Sequence, residues 1–198
     1  SIAVIGDVML DHYIIGQCNR ISPEAPVPIV NISSEHYGLG GAANLAHNIC
    51  NFGNPVYLFG AVGEDTQAYQ VKRLLGETAI HTRCQIWEKP TTTKTRVVVQ
   101  QQQMIRLDQE QVTWQENENH KSDILKVLEN ENIKAVIISD YAKGFCTEGL
   151  VSTIIEKCNH QSISVFVNPK GNAWKKYRGA FLIKPNIAEL EAVTKKSL

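Results

Sequence analysis

Short apolar runs of strand-forming residues alternate with segments of helical periodicity along most of this chain. The first run spans residues 2–5 and is stopped by Gly6 and Asp7. The later runs and the helical patterns between them cover residues 56–59, 66–75, 122–128, 135–138, 150–158, 163–167 and 181–183. Strands that alternate with helices are typical of a mostly parallel sheet with helices on both of its faces. We therefore predict an α/β fold with a doubly wound parallel sheet.

Two stretches break this alternation. Residues 12–37 contain three prolines among short β-prone pieces, and residues 83–108 consist largely of extended segments. Neither stretch suits a crossover helix, so we predict a second, small sheet that projects from the core and covers a ligand or pairs with another subunit. The predicted organisation is a single domain, with a core of residues 1–11, 38–82 and 109–198 and a lid of approximately residues 12–37 and 83–108.

Charge and cysteine content narrow the classes of partner. The 198 residues contain 20 lysine plus arginine and 20 aspartate plus glutamate residues, so the net charge favours neither nucleic acid nor an anionic membrane. The five cysteines are scattered without metal-ligand spacing, which is typical of a reduced, cytoplasmic protein. No apolar run reaches the roughly 20 residues of a membrane span. We therefore expect small-molecule ligands and predict neither a nucleic-acid nor a membrane partner.

A glycine cluster opens directly into helix-forming sequence. Gly38, Gly40 and Gly41 precede apolar residues at helical spacing, and Asn44 falls in the first turn. Free backbone N–H groups point outward at a helix N-terminus, and the absence of Cβ atoms lets a polar ligand approach the main chain. Taken alone, the cluster fits a ligand-binding loop and a plain turn before a helix equally well.

Polar side chains follow the predicted strands at their carboxyl ends, where open α/β sheets bind ligands. They are Asp7 and Asp11 after the first strand, Asp140 and Lys143 after the strand at 135, Lys170 after the strand at 163, and Lys184, Asn186 and Glu189 after the last. Carboxylates and amides suit sugar hydroxyls, whereas lysine and arginine suit phosphate oxygens. Two further cations, Arg96 and Arg106, lie in the projecting strands, where an arginine commonly faces water.

Asn186 and Glu189 have two interpretations. Three positions apart in the first turn of a helix, they could hold a hydrated Mg²⁺ ion near nucleotide phosphates. The same pair matches a helix N-cap with its capping-box glutamate. Spacing alone does not choose between metal binding and capping.

Taken in order, several motifs resemble those of the ribokinase-like (PfkB) carbohydrate kinases. The motifs are residues 6–11 (GDVMLD), 19–28 (NRISPEAPVP), 40–44 (GGAAN), 93–96 (TKTR), 105–108 (IRLD), 139–144 (SDYAKG), 168–171 (NPKG) and 184–186 (KPN). The second motif is most similar to that of the heptose 7-phosphate kinases, the kinase part of bifunctional proteins that make ADP-heptose for lipopolysaccharide. The resemblance extends over essentially the whole chain.

The resemblance implies a ribokinase-like, Rossmann-type core with a β lid that also clasps a second subunit in a homodimer. It implies transfer of the γ-phosphoryl group of ATP to the anomeric hydroxyl of D-glycero-D-manno-heptose 7-phosphate, with ATP and Mg²⁺ as cofactors. The residues implied to bind the sugar phosphate are Asp7, Asp11, Gly40, Gly41, Asn44, Arg96, Arg106, Asp140, Lys143 and Lys170. Those implied to bind the nucleotide are Lys184, Asn186 and Glu189, with Glu189 at the metal and Asn186 reaching it through water.

The chain departs from the family pattern in two ways. Asn168 stands where this branch usually has aspartate, and the Gly-Ala-Gly-Asp motif with the catalytic base is absent from the 198 residues, as is the His-x-Gly-His signature of the nucleotidyltransferase half. We therefore expect a fold truncated at its C-terminal side, with no catalytic residue of its own and no turnover alone. Two other hypotheses stay open: a related kinase for another sugar or sugar phosphate, and a non-catalytic sugar-phosphate-binding or dimerising module.

Overall fold

The computed structural model describes residues 1–112 and 118–197. Its strands are β1 (Ile2–Gly6), β2 (Val8–Ile21), β3 (Pro28–Gly40), β4 (Val56–Val62), β5 (Ile80–Ile86), β6 (Thr93–Val99), β7 (Gln102–Gln109), β8 (Ala135–Ser139), β9 (Ser164–Asn168) and β10 (Leu182–Ile183). Its α-helices are α1 (Gly41–Asn51), α2 (Thr66–Gly76), α3 (Glu118–Asn130), α4 (Glu148–His160) and α5 (Ile187–Thr194), and a 3₁₀ helix spans Trp174–Tyr177. Of the predicted core range 109–198, residues 113–117 and 198 lie outside the described residues.

The larger sheet confirms the predicted α/β fold. Its six strands have the order β10-β9-β8-β1-β4-β5, and every neighbouring pair is parallel. Successive residues of β1 alternate between two apolar clusters, because Val4 packs with α1 and α2 whereas Ala3 and Ile5 pack with α3 and α4. Helices therefore pack on both faces of this sheet, and the carboxyl ends of all its strands lie at one edge.

Local capping explains where the helices begin. Asp65 precedes α2 and its Oδ1 accepts a hydrogen bond from the Ala68 N–H at 2.7 Å. Thr147 precedes α4 and caps Leu150 in the same way. Helix α1 differs, because its N-cap is Gly40, which has no side chain to offer. The first turn of α1 therefore lacks a side-chain cap.

The smaller sheet, which we call the lid sheet, has four strands in the order β3-β2-β6-β7. β2 begins directly after β1 and pairs antiparallel with β3 and parallel with β6. At the base of the sheet Met9 lies opposite Gly40, so the strand that leaves the core and the strand that returns to α1 start side by side. A second sheet is thus present, as predicted, and its strands span residues 8–21, 28–40, 93–99 and 102–109.

The boundary of the lid differs from the prediction at residues 83–86. These residues form the second half of β5, which pairs in parallel with β4 in the core sheet. Ile80 and Cys84 pack on the apolar cluster beneath α1 and α2, while Arg83 is exposed. β5 is an edge strand with one buried face, so its sequence contains no continuous apolar run. The search for apolar runs therefore did not assign residues 83–86 to the core sheet.

Four of the five cysteines, Cys50, Cys84, Cys146 and Cys158, pack in or against the two apolar clusters. All five are free thiols, and Cys146 and Cys158 are buried. Burial raises the pKa of the Cys158 thiol to about 12, so this residue behaves as a small apolar side chain. None of the helices in the described residues is long and apolar enough to cross a membrane.

Candidate functional site

A groove of about 450 Å³ lies beside α1, along one face of β8, β9 and β10, and reaches the residues at their carboxyl ends. Three predicted site residues, Gly41, Asn44 and Lys184, line it. The groove is also lined by apolar residues from β8, β9 and β10 and by polar residues that follow or end these strands, namely Ile137, Phe166, Leu182, Ser139, Tyr141 and Asn168. Asn168, the position that departs from the family pattern, therefore faces this groove.

The Asp7 carboxylate shapes the loop that follows β8. Its Oδ2 accepts hydrogen bonds from the N–H groups of Tyr141 and Lys143 at 2.8 and 3.2 Å, and its Oδ1 accepts one from Phe145 at 3.1 Å. Burial raises the pKa of Asp7, although the three backbone hydrogen bonds oppose this rise. Both carboxylate oxygens are thus used to hold the loop that carries Lys143.

Asp140 is the centre of a second buried network. Its Oδ1 accepts a hydrogen bond from Ala142 N, and its Oδ2 contacts Lys176 Nζ at 2.5 Å and the Tyr177 hydroxyl at 2.7 Å. Lys176 and Tyr177 belong to the 3₁₀ helix, so the network ties this helix to the end of β8. The Tyr177 hydroxyl also accepts a bond from the Lys170 N–H at 3.4 Å, which links Asp140 to a predicted phosphate ligand.

Ligand atoms of Asp7, Asp140 and Cys146 lie within 4.8 Å of one another, as in a metal site. The Lys176 ammonium already supplies the cation, because it bonds both Asp140 Oδ2 and the Cys146 carbonyl oxygen. Burial raises the pKa of the Cys146 thiol well above its ordinary value, so the neutral thiol is favoured. The cluster is best described as a buried ion pair.

The glycine cluster brings together Asp11, Gly40, Gly41 and Arg96. Arg96 Nη1 lies 2.6 Å from Asp11 Oδ1, and this hydrogen bond raises the pKa of Arg96. A Cβ atom at Gly40 would approach Asp11 Oδ2 to 3.0 Å, so the carboxylate lies directly against the glycine backbone. Gly41 has φ of +55°, and a Cβ atom there would meet the Asp7 carbonyl oxygen at 2.3 Å. Glycine at 41 is therefore required by both conformation and space.

One face of the lid sheet carries alternating charges. Strand register places Asp11 opposite Lys94, Arg96 opposite Arg106, and Lys94 opposite Asp108. Asp108 accepts two hydrogen bonds from Arg106, at 2.8 and 3.1 Å, and one from Lys94 at 3.3 Å. Desolvation acts to raise the pKa of Asp108, but these hydrogen bonds outweigh it and lower the pKa. Cations predicted to bind phosphate are thus held in place by carboxylates.

Lys143 is held from the lid side. Its Nζ lies 2.6 Å from Glu110 Oε2, and its carbonyl oxygen accepts a hydrogen bond from Lys89 Nζ at 2.5 Å. Burial lowers the pKa of Lys89, and the charge of Lys143 adds to this effect. The predicted phosphate ligand Lys143 is therefore in a defined position before any ligand binds.

Helix α5 begins with a complete capping box. Asn186 Oδ1 accepts a hydrogen bond from Glu189 N at 2.8 Å, and Glu189 Oε2 accepts one from Asn186 N at 3.0 Å. The other carboxylate oxygen of Glu189 lies 3.0 Å from Lys170 Nζ. Desolvation acts to raise the pKa of Glu189, but the bonds from Asn186 and Lys170 lower it. Of the two interpretations of this pair, the capping box is therefore present in the structure.

Two groups of the predicted site residues come together. Asp11, Gly40, Gly41 and Arg96 come together at the base of the lid, and Lys170 joins Asn186 and Glu189 at α5. Asp7 and Asp140 are instead engaged with the protein itself, and their contact with substrate stays a prediction. Sequence reasoning missed three residues that hold predicted ones in place, namely Glu110, Lys176 and Tyr177. The sequence signal nearest to Glu110 is the IRLD motif, which ends two residues before it at Asp108.

Comparison with known sequences gives a single family. A sequence profile described as pfkB family carbohydrate kinase matches residues 1–198. Several curated relatives carry the name bifunctional protein HldE. The one from Aliarcobacter butzleri is 40% identical over 197 residues, and the match covers 98% of this chain and 41% of the relative. The one from Vibrio atlanticus is 42% identical over 202 residues and is covered to 41%. The chain thus spans about two fifths of the length of these relatives.

Comparison with solved structures supports the same fold. The tetrameric inhibited form of phosphofructokinase-2 from Escherichia coli matches with a TM-score of 0.74 at 20% identity, covering 100% of this chain and 64% of that one. Ribokinase from Arabidopsis thaliana, solved with ribose and ATP, matches with a TM-score of 0.69 at 16% identity, covering 99% of this chain and 63% of that one. At these identities the likeness concerns the fold.

Proposed function

Since this chain belongs to the pfkB family of carbohydrate kinases, we propose that it is the sugar-binding part of a heptose 7-phosphate kinase. The reaction is transfer of the ATP γ-phosphoryl group to the anomeric hydroxyl of D-glycero-D-manno-heptose 7-phosphate, which gives the 1,7-bisphosphate for ADP-heptose and lipopolysaccharide synthesis. The single observation that carries the proposal is the Arg96–Asp11 pair of 2.6 Å against the glycine backbone at Gly40. It combines a carboxylate for hydroxyls with a cation for phosphate at one place.

The sugar hydroxyls are assigned to Asp11, Asn44 and the backbone of Gly40 and Gly41. The first turn of α1 has no side-chain cap, and although the Ala42 N–H donates to the Asp7 carbonyl oxygen, we assign the remaining N–H groups of the turn to a ligand oxygen. Asn44 is exposed in that turn and lines the groove, and its amide both donates and accepts hydrogen bonds. These groups would orient the sugar ring beneath the lid sheet.

The substrate phosphate and the transferred phosphoryl group are assigned to Arg96, Arg106, Lys143 and Lys170. Each of these cations contacts a carboxylate, with Asp11, Asp108, Glu110 and Glu189 as their respective partners. For Arg96, Arg106 and Lys170 the partner restricts the side chain before phosphate binds, so less side-chain entropy is lost on binding. Asp7 and Asp140 support this arrangement by fixing the loop of Lys143 and the segment of Lys170.

The nucleotide and Mg²⁺ are assigned to Lys184, Asn186 and Glu189. The residues at α5 fit a hydrated ion, because each Glu189 oxygen makes one hydrogen bond to the protein and has a second lone pair for a metal-bound water. Mg²⁺ bound there would neutralise charge on the ATP phosphates. Lys184 lines the groove and would add a positive charge beside the nucleotide.

The 198 residues contain no Gly-Ala-Gly-Asp motif, and we propose that this chain alone binds sugar without turning it over. A positioned base typically contributes about 10²–10⁴-fold to such a reaction. The proposed kinase activity would therefore require a base that these residues do not supply.

A homodimer through the lid sheet is part of the proposal. The lid strands expose apolar side chains that a second copy would cover, namely Ile21, Ile32, Met104, Ile105 and Leu107. Sedimentation equilibrium should give a dimer whose dissociation constant rises in the Ile32→Glu/Leu107→Glu double variant.

The proposed compartment is the cytoplasm, which the five free thiols support.

Calorimetric titration tests the proposal, after a cooperative thermal melt has shown that the chain is folded. We expect D-glycero-D-manno-heptose 7-phosphate to bind, with ribose and fructose 6-phosphate at least tenfold weaker and Mg-ATP weak. Preference for ribose or fructose 6-phosphate would favour a kinase for another sugar. Absence of all sugar binding by a folded chain would contradict the assignment of a sugar site.

A further inference from the structure

Lys143 connects the core to both ends of the lid hairpin formed by β6 and β7. Glu110, just beyond β7, contacts its ammonium at 2.6 Å, and Lys89, before β6, donates to its carbonyl oxygen. Of the four carboxylate–cation pairs assigned to phosphate above, this one joins the lid side to the core loop after β8. The other three pairs each lie within the lid sheet or within the core.

The Glu110 carboxylate is placed between two cations. Its Oε2 contacts Lys143 Nζ and lies 4.0 Å from Lys94 Nζ. The Lys143 and Glu110 side chains are only 18% and 32% exposed, so salt screens their attraction less than that of a surface pair. The Lys143 ammonium has three N–H donors, and a phosphate oxygen bonded to another of them at about 2.8 Å would lie roughly 4–5 Å from the Glu110 oxygen, where the two negative charges repel.

We infer that Glu110 is a specificity-determining residue, whose carboxylate repels an anion that binds Lys143. This inference rests on the proposed function, which assigns Lys143 to phosphate. A free anion must bind against this repulsion with no other contact to offset it. A sugar phosphate brings hydroxyl contacts at Asp11 and the glycine cluster, and their binding energy offsets the repulsion. Glu110 would thereby discriminate against inorganic phosphate and other small anions.

Inorganic phosphate is the direct probe, with its affinity measured by ³¹P NMR titration of the folded protein. We expect the Glu110→Gln variant to bind phosphate about fivefold more tightly than the parent, which corresponds to about 1 kcal/mol. The Glu110→Asp variant retains the charge, so its affinity for phosphate should stay within about twofold of that of the parent. A purely structural role of the side chain would not predict this result. Adding Lys143→Gln to the Glu110→Gln variant should abolish the increase in phosphate affinity.

A matched control is available in the Glu129–Lys157 pair, which joins α3 to α4 with an Nζ–Oε1 distance of 2.5 Å. Glu129→Gln should leave phosphate affinity unchanged. Equal phosphate affinity in the parent and the Glu110→Gln variant, or no binding by either, would overturn the inference. Heptose 7-phosphate binding is measured in parallel. If the proposed function is wrong, the protein will not bind heptose 7-phosphate, and this result is independent of the affinities measured for inorganic phosphate.

Discussion

The Arg96 guanidinium on β6 reaches across to Asp11 on the neighbouring strand β2 with an N–O distance of 2.6 Å, and it also lies 5.2 Å from the Tyr13 ring centroid. Three contacts of different kinds therefore meet at the base of the lid: an ion pair, a cation–π contact and the Gly40 backbone. The arginine is fixed by its surroundings, and its position predicts specific effects of substitution.

Replacing Arg96 with glutamine should weaken heptose 7-phosphate binding by about 10- to 100-fold, because a hydrogen bond to a charged group contributes about 1.5–3 kcal/mol. Arg73→Gln is the matched control, since Arg73 also contacts a carboxylate, Glu77 at 2.9 Å, but on the surface of α2. Calorimetry on both variants checks the prediction. A similar loss in both variants would mean that the effect is not local to the site.

Gly41→Ala should destabilise the fold more than Gly53→Ala. Both glycines have positive φ, +55° and +82°, so both substitutions incur the left-handed backbone cost of about 1 kcal/mol. Only at Gly41 would the new Cβ atom meet a backbone oxygen, that of Asp7, so we expect a total loss of about 3 kcal/mol there. Urea unfolding of the two variants measures the difference, and equal losses would contradict the steric argument.

Lys176→Met should reduce the free energy of unfolding by about 3–5 kcal/mol, because it leaves the buried Asp140 carboxylate without its ion-pair partner. Its neighbour Lys175 is exposed, and Lys175→Met should change stability by less than about 0.5 kcal/mol. Adding Asp140→Asn to Lys176→Met removes the uncompensated charge and should recover part of the loss. Denaturant melts of the three proteins check this order, and no recovery in the double variant would contradict it.

His120 should make stability depend on pH between about 4 and 6.5. Burial lowers its pKa from 6.5 to about 4, and its ring packs edge-on against Phe59 and Phe145. The unfolded chain binds a proton in this window and the folded chain does not, so stability is fully present above pH 6.5 and falls as pH decreases towards 4. We expect a loss on the order of 2 kcal/mol across the window.

Melting midpoints recorded every half pH unit test this dependence. The His120→Phe variant should lose that part of the pH dependence, whereas substitution of the exposed His160 by glutamine should retain it. Identical pH profiles of the parent and His120→Phe would show that another group titrates in this range.

Features encoded by neighbouring residues could be predicted from the sequence. Residues 2–5 form a strand because they are apolar and β-branched in part, and the glycine cluster begins a helix because apolar positions recur at helical spacing after it. The parallel sheet followed from the alternation of such segments. The capping interpretation of Asn186 and Glu189 was equally local, because both partners lie within one helical turn.

Features that depend on distant contacts could not be predicted. Lys176 binds Asp140 across 36 positions, and no periodicity in the intervening sequence indicates a buried lysine. Glu110 and Lys143 are similarly far apart in sequence and meet only because the hairpin of β6 and β7 returns to the core. The role of Asp7 also required the structure, since its three backbone donors lie more than a hundred residues away.

The position of β1 has a consequence for synthesis on the ribosome. This strand precedes both of its sheet neighbours, β4 and β8, and Asp7 just after it takes its hydrogen bonds from residues 134 to 138 positions later. At about 5–20 residues per second, the nascent strand would wait roughly 7 to 30 seconds for β8 and for the donors of Asp7. Its apolar side chains are exposed meanwhile, so we expect a nascent chain released before residue 145 to depend on chaperone binding for its solubility.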